Sequence, residues 1–345
     1  MSPLADYTTL GLGGPAKAFV EATSPGALIE AVRAADAAGE PVLILGGGSN
    51  LVIADEGFPG TVVYVNTRGV GYADAGGGLA DVSVAAGEDW DDVVATAVAE
   101  GLAGFECLSG IPGRAGATPI QNVGAYGHEV AEVIQSVRVF DRQAGEIRLI
   151  PNGSCRFAYR TSYFKQHPAR YVVLDVTFRL TRDALSMPVK YAELAAELGV
   201  EMGERAGVGE VRSAVLKIRA RKGMVLNPGD PDTRSAGSFF TNPVLDAEQY
   251  ASLASVAARP VPRYDAGDEK VKVPAAWLIE HAGFGKGYGA PGPARVSSKH
   301  TLALINAGGA TTADLLTLAR EIRDGVRTTF GVTLTPEPTL IGAAL

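Results

Sequence analysis

Between Gly104 and Gly127 the chain reads GFECLSGIPGRAGATPIQNVGAYG, with six glycines and two prolines set among short polar residues. Neither an amphipathic helix nor a half-buried strand has such a composition. Glycine permits tight turns and lets the main chain approach a ligand with no Cβ in the way. Ser109, Thr118, Gln121 and Asn122 place neutral donors and acceptors between the turns. A loop of this length inside a folded domain is either functional or disordered. The apolar residues Phe105, Leu108, Ile111, Ile120 and Val123 argue for order. The stretch is therefore read as an ordered loop laid along an extended polar ligand, since a plain surface connection needs only a few such residues.

A second glycine run lies upstream. Residues 24–40 have the marks of a helix: Ser24 as cap, Pro25 in the first turn, Leu28 and Val32 on one face, and Gly39 as terminator. The apolar strand expected at 41–45 then runs into Gly46, Gly47, Gly48, Ser49 and Asn50. Three successive glycines expose a row of amides able to form an anion-binding nest. A tight turn has the same composition, and the residues alone leave both readings open. The dinucleotide fingerprint GxGxxG with its following helix is absent, as is the phosphate-loop pattern GxxxxGK[ST].

Further along, the pattern predicts strands at 61–65 and 81–85, a helix at 91–100, a hairpin of 137–141 with 146–150, and a strand at 170–180. A helix at 209–221 ends in the basic cluster Lys217, Arg219, Arg221 and Lys222, which reads as a solvated helix end. In SAGSFFTNP, residues 235–243, a core strand entered through a turn fits best, with Phe239 and Phe240 on its two faces. A presented Ser238 hydroxyl is the functional alternative. Helices at 274–281 and 312–330, a flexible loop at 283–289 and a strand at 301–306 complete the chain. Glu337 stands between Pro336 and Pro338 in an otherwise apolar tail, as an exposed edge residue or a held carboxyl with a raised pKa.

With 345 residues, 46% hydrophobic and 20% charged, the chain has room for two domains and a sizeable core. No apolar run reaches the length of a membrane span, and the N-terminus lacks the basic and apolar regions of a secretory signal. A net charge of −7 and a pI near 5.3 give no support to a nucleic-acid or anionic-membrane partner. Cys107 and Cys155 lack metal-ligand spacing, and His128, His167, His281 and His300 are scattered, so no metal site is expected. Two cysteines fit reduced thiols in the cytoplasm.

Six stretches in order then resemble the UDP-N-acetylenolpyruvoylglucosamine reductase family, in its longer-chain form: LGGGSN at 45–50, SGIPGRAGATPIQNVGAYG at 109–127, CRFAYRTSYFK at 155–165, AGSFFTNP at 236–243, LINAGGAT at 304–311 and LTPE at 334–337. The resemblance spans nearly the whole chain. The glycine loops alone fit the wider FAD-linked oxidases, and CRFAYRTSYFK followed by AGSFFTNP narrows the match. The implied fold is α+β: a two-lobed FAD-binding domain of the FAD-linked oxidase type over 1–205 (lobes 1–68 and 69–205). A smaller α+β substrate-binding domain over 206–330 follows, and a tail at 331–345 returns to the first domain.

The implied activity is a flavoprotein oxidoreductase of peptidoglycan precursor synthesis, serving cell-wall biogenesis, cell shape and cell division. NADPH gives hydride to N5 of non-covalently bound FAD. The enolpyruvyl ether of UDP-N-acetylglucosamine then accepts hydride at C3 and a proton at C2, giving UDP-N-acetylmuramate. By resemblance, Gly46, Gly47, Gly48, Ser49, Asn50, Ser109, Gly110, Ile111, Pro112, Gly113, Thr118, Gln121, Asn122, Gly124, Ala125 and Tyr126 bind FAD. Arg160 matches the arginine that holds the substrate carboxylate in a planar fork. Ser238 matches the proton donor, and Glu337 the glutamate beside the same carboxylate, expected protonated. Tyr191, Lys222 and Asn242 match substrate-binding positions, the last two near the diphosphate. His300 matches a position where the family has glutamine or histidine, and an ordinary exposed histidine fits the residues equally.

Two other functions compete. One is a different FAD-linked oxidoreductase acting on a sugar or hydroxy acid, which leaves Arg160, Ser238 and Glu337 unexplained. The other is a non-catalytic module binding FAD or a nucleotide sugar, which has no need of a proton donor. A monomeric cytoplasmic enzyme with a small-molecule substrate, bound to neither nucleic acid nor membrane, is the expectation.

Overall fold

The long strand Tyr171–Arg182 is the spine of a largely antiparallel sheet with the order Glu146–Pro151, Ile134–Asp141, Tyr171–Arg182, Leu79–Ala85 and Val70–Gly76. Its alternation puts Val176, Phe178 and Leu180 in the core, as period-2 patterning requires. Against that face lies the helix Trp90–Ala99, started by Asp89, whose carboxylate accepts the Asp91 amide, and stopped before Gly101 at φ +68°. Trp90, Phe105 and Phe178 meet there with ring centroids 4.9–5.7 Å apart, all fully buried. Each contributes about 1.5–3 kcal/mol or more of transfer free energy.

The computed structural model describes residues 3–345. Contacts divide the chain into two units, one of Lys17–Gly47 and Pro59–Val225, the other of the residues up to Ala16, Gly48–Phe58 and Leu226–Leu345. The first unit also holds the helix Pro25–Ala37, capped by Ser24 with Pro25 at its start, and the parallel pairing of Val42–Leu45 with Phe58–Val65. A satellite core of Leu194, Val211, Val215 and Ile218 joins the helices Ala192–Leu198 and Val208–Arg221. In the second unit the helix Thr312–Phe330 supplies Leu315, Ala319, Ile322 and Val326 to a core with Phe239, Phe240, Leu278 and Leu304. The hairpin Ala294–Val296 with Leu304–Asn306 and the parallel pair Thr339–Ile341 with Leu51–Ile53 flank it.

This division differs from the boundaries expected at 205/206 and 330/331. The helix Val208–Arg221 packs with residues before it. The tail pairs with Leu51–Ile53, inside the 1–205 range expected to receive it, though those residues cluster with the second unit. The expected strand at 235–243 is corrected too. Gly237 turns at φ +73°, only isolated bridges form at Ser235 and Phe240, and both phenylalanines are buried, 5.1 Å apart edge to face. The strand Val70–Gly76 has no apolar stripe and is exposed throughout, so pairing with Leu79–Ala85 makes it a strand. Among the described residues, no helix is long and apolar enough to cross a membrane.

Candidate active site

The long glycine loop is ordered by main-chain bonds to its surroundings. The carbonyl of Gly113 accepts the Trp90 amide at 3.0 Å, and the amides of Ala115 and Gly116 donate to Glu88 and Ala86 at 2.9 Å. The Gly110 amide donates to Asp91 Oδ1 at 2.6 Å, and Arg212 grips the same carboxylate with two nitrogens, at 2.6 and 2.9 Å. Ser109 and Thr118 are buried, and their hydroxyls donate to Glu106 O and Ala115 O. Those two side chains shape the loop, with their hydroxyl hydrogens committed inside it. Ile111 packs on the core. Gly124–Ala125 pairs with His128–Glu129 around Tyr126 and Gly127, both at positive φ (52° and 84°), the geometry of a type I′ turn.

The two glycine runs meet. A Cβ on Gly47 would stand 2.8 Å from Gly113 Cα, so main chain lies against main chain. Gly46 faces the Arg114 side chain at 3.4 Å. In the second unit, Gly48 takes φ +57° with Tyr7 O where a Cβ would go, and leads through Ser49 and Asn50 into Leu51–Ile53.

Arg160 occupies a tight turn, Ala158 to Thr161, closed by reciprocal main-chain bonds of 3.1 and 3.0 Å. Its φ is +54°, and its Nη2 donates to Gly124 O at 2.8 Å. Asn122, Tyr126, Arg156 and Arg160 make up four of the six non-glycine residues at positive φ among the described residues. Such backbone costs of order 1–3 kcal/mol per residue and clusters at functional sites. Tyr191 is exposed, edge to face with Tyr126 at 5.5 Å, and burial pushes the Tyr126 hydroxyl up to about 12.

The basic helix end expected to be solvated divides in two. Lys217 and Arg221 pair with Glu197 at the surface, and Lys222 pairs with Glu193. Arg219 instead turns inward beneath Gly110, one helical turn after the buried Val215. Its Nη2 donates to Met224 O at 2.8 Å, while its Nε is buried with no hydrogen-bond partner among the described residues. Burial pulls its pKa down, partly offset by Tyr126 and Asp91. Reading Arg219 at the 3.6-residue period from Val211 and Val215 would have found it.

In the second unit, Ser238 and Glu337 come together through the main chain. The Glu337 amide donates to Phe239 O at 2.8 Å, and the Thr241 amide to Thr335 O at 3.0 Å, in a short antiparallel pairing. Asn50 Nδ2 donates to Glu337 O at 3.3 Å. The Phe239 amide donates to Leu302 O, which brings in the turn carrying half-buried His300. Asn242 Oδ1 accepts the Ala275 amide at 2.9 Å and so caps the helix Ala275–His281.

These features fit a flavin dinucleotide. Apposed glycine turns supply main-chain amides of the kind that bind a diphosphate, and the orphaned Arg219 Nε suits a ligand acceptor beside Gly110. Residues 16–150 match the family model described as "FAD binding domain". Residues 230–341 match "UDP-N-acetylenolpyruvoylglucosamine reductase, C-terminal domain". The reductase of Thermobifida fusca (strain YX) is 56% identical over 349 residues, covering 99% of this chain and 98% of its own. That of Streptomyces coelicolor is 54% identical over 351 residues, covering 100% and 90%. The crystal structure of the enzyme from Thermus caldophilus aligns with a TM-score of 0.66 at 25% identity, covering 99% of this chain and 97% of that one. The chain belongs to the UDP-N-acetylenolpyruvoylglucosamine reductase family.

Proposed function

We propose that this chain reduces the enolpyruvyl ether of UDP-N-acetylglucosamine to UDP-N-acetylmuramate, with FAD bound and NADPH as reductant. The observation that carries the reading is the main-chain bond from Glu337 to Phe239, which sets a carboxyl-bearing residue beside the Ser238 segment. When bound, FAD supplies the two-electron chemistry that the amino acids lack. The main chain of Gly46, Gly47, Gly110 and Gly113 would hold it.

The chain's own residues manage charge and protons. Reduction of the double bond drives negative charge onto the substrate carboxylate, and the Arg160 guanidinium is the group to hold it in two parallel bonds. Ser238 gives its hydroxyl proton to C2 and regains one from solvent. A serine hydroxyl is a feeble acid, so this transfer needs a strongly basic carbon and fixed geometry. Glu337, beside it, takes part in spreading the carboxylate charge. Tyr191, Lys222, Asn242 and His300 are assigned to the nucleotide sugar, Asn242 through its own loop because its side chain already caps a helix.

An oxidase that tethers flavin through cysteine is disfavoured. Burial pushes both Cys107 and Cys155 up to about 12, which leaves little thiolate to attack a cofactor. The test is an anaerobic visible spectrum. NADPH should bleach the flavin band, and the enolpyruvyl nucleotide sugar should restore it. Bleaching without restoration would overturn the substrate, and failure to hold FAD at all would overturn the cofactor.

A further inference from the structure

An arginine at positive φ does not hold its own backbone, so something outside the turn must. The turn Ala158–Thr161 is gripped by Asn122. Asn122 is 1% exposed and itself sits at φ +49°. Its Nδ2 donates to Ala158 O at 3.2 Å and to Glu129 Oε2 at 2.6 Å, while its Oδ1 accepts the Ala131 amide at 3.1 Å. Both hydrogens and the carbonyl of the amide are thereby committed within the protein. The carbonyl that receives Asn122 also closes the turn, by accepting the Thr161 amide at 3.0 Å. Two further ties run the same way: Arg160 Nη2 to Gly124 O, and Ser162 Oγ to Ile120 O at 2.5 Å.

We propose that Asn122 is a positioning residue for Arg160, with Glu129 orienting its amide, so that the guanidinium fork is aimed before the substrate carboxylate arrives. This rests on the reading of Arg160 as the carboxylate clamp. Shape matters here as well as polarity. An aspartate would set a carboxylate against both Glu129 and the Ala158 carbonyl, and an apolar residue would leave the half-buried Ala131 amide without its acceptor.

The experiment is a double-mutant cycle on Asn122→Ala and Arg160→Ala, read by calorimetric binding of UDP-N-acetylmuramate to the FAD-loaded protein and by the two half-reactions. Asn122→Ala should weaken product binding roughly 10-fold and slow reoxidation by the enolpyruvyl substrate by a similar factor, several-fold more than it slows reduction by NADPH. In the Arg160→Ala background it should do nothing further. Glu129→Ala, at a half-buried position less risky for folding, should give the same pattern at several-fold. Multiplicative losses, or an equal loss in reduction by NADPH, would overturn the positioning role. If Arg160→Ala alone leaves product binding and reoxidation intact, the clamp reading falls and this proposal falls with it.

Discussion

The amide of Glu337 donates to the carbonyl of Phe239 at 2.8 Å, joining the C-terminal tail to the segment that carries Ser238. Its neighbours fix Ser238 there: Gly237 at φ +73° turns the chain just before it, and Phe239 anchors it in the core just after. A serine fixed in this way loses only its hydroxyl on change to alanine. Ser238→Ala should slow reoxidation of the flavin by the enolpyruvyl substrate about 10²–10⁴-fold. Reduction by NADPH should keep its rate. Stopped-flow absorbance resolves the two phases, and an equal fall in both would remove Ser238 from proton transfer.

Glu337 invites a different substitution. Glutamine copies the shape of an uncharged carboxyl and cannot titrate. If the carboxyl acts in its protonated form, Glu337→Gln should keep much of the turnover at neutral pH while the pH profile flattens. A profile identical in shape to that of the unchanged protein would take Glu337 out of the charge balance.

The contact of the two glycine runs makes a sharper steric prediction. At Gly47 an added methyl meets Gly113 Cα at 2.8 Å, backbone that cannot swing aside. Overpacking of this kind costs about 1–3 kcal/mol, so FAD affinity in Gly47→Ala should fall by roughly 10- to 100-fold. Gly209→Ala is the control. That glycine is helical with open space around it, and the change should stabilise by about 0.5 kcal/mol. Titration of the apoproteins with FAD checks both, and unchanged affinity in Gly47→Ala would make the contact purely structural.

Local signals were the legible ones. Asp314 in the first turn and the spacing of Leu315, Ala319, Ile322 and Val326 mark the helix Thr312–Phe330. Glycine density marks both loops, and short motifs mark Arg160, Ser238 and Glu337. What pattern reading missed is non-local. The tail strand Thr339–Ile341 finds its partner at Leu51–Ile53, so the unit boundaries follow pairings that no window contains. The Asn122 side chain looks like a ligand donor until its three partners are seen, on Ala131, on Glu129 and on Ala158. Arg219 looks like one of four surface cations because charge runs are usually solvated, and here helical phase overrides that rule.

Asp141 provides a pH-dependent test of the first unit. Its side chain is wholly buried, accepts the Gln143 and Ala144 amides, and is gripped by Arg170, with Arg148 at 3.3 Å. The Arg170 bonds hold its carboxyl below the usual range, against the opposing effect of burial. A depressed folded pKa stabilises above the unfolded value of about 3.9, and the contribution disappears as pH falls through the lower folded value. Asp141→Asn should therefore cost about 2–3 kcal/mol near neutrality. The gap between the two proteins should narrow below about pH 4 in urea unfolding. A gap constant with pH would assign the loss to packing.

Arg219 separates stability from cofactor binding. Its guanidinium is desolvated, bonded through Nη2 to Met224 O, and carries a buried Nε with no partner among the described residues. A buried cation left incompletely bonded destabilises the protein that holds it, and apolar replacement of buried charge is often neutral or stabilising by about 1–4 kcal/mol. Methionine keeps most of the length and packs well against Leu216 and Val225, which already border the Gly110 turn. Arg219→Met apoprotein should therefore unfold at an equal or higher temperature than the parent. If the orphaned nitrogen is there to meet an acceptor on the cofactor, FAD affinity should fall by roughly tenfold or more, since a charge-assisted hydrogen bond contributes about 1.5–3 kcal/mol. Thermal unfolding without FAD and a fluorescence titration with it measure the two effects on the same sample. Lower apoprotein stability with unchanged FAD affinity would make Arg219 a strut between the helix and Met224.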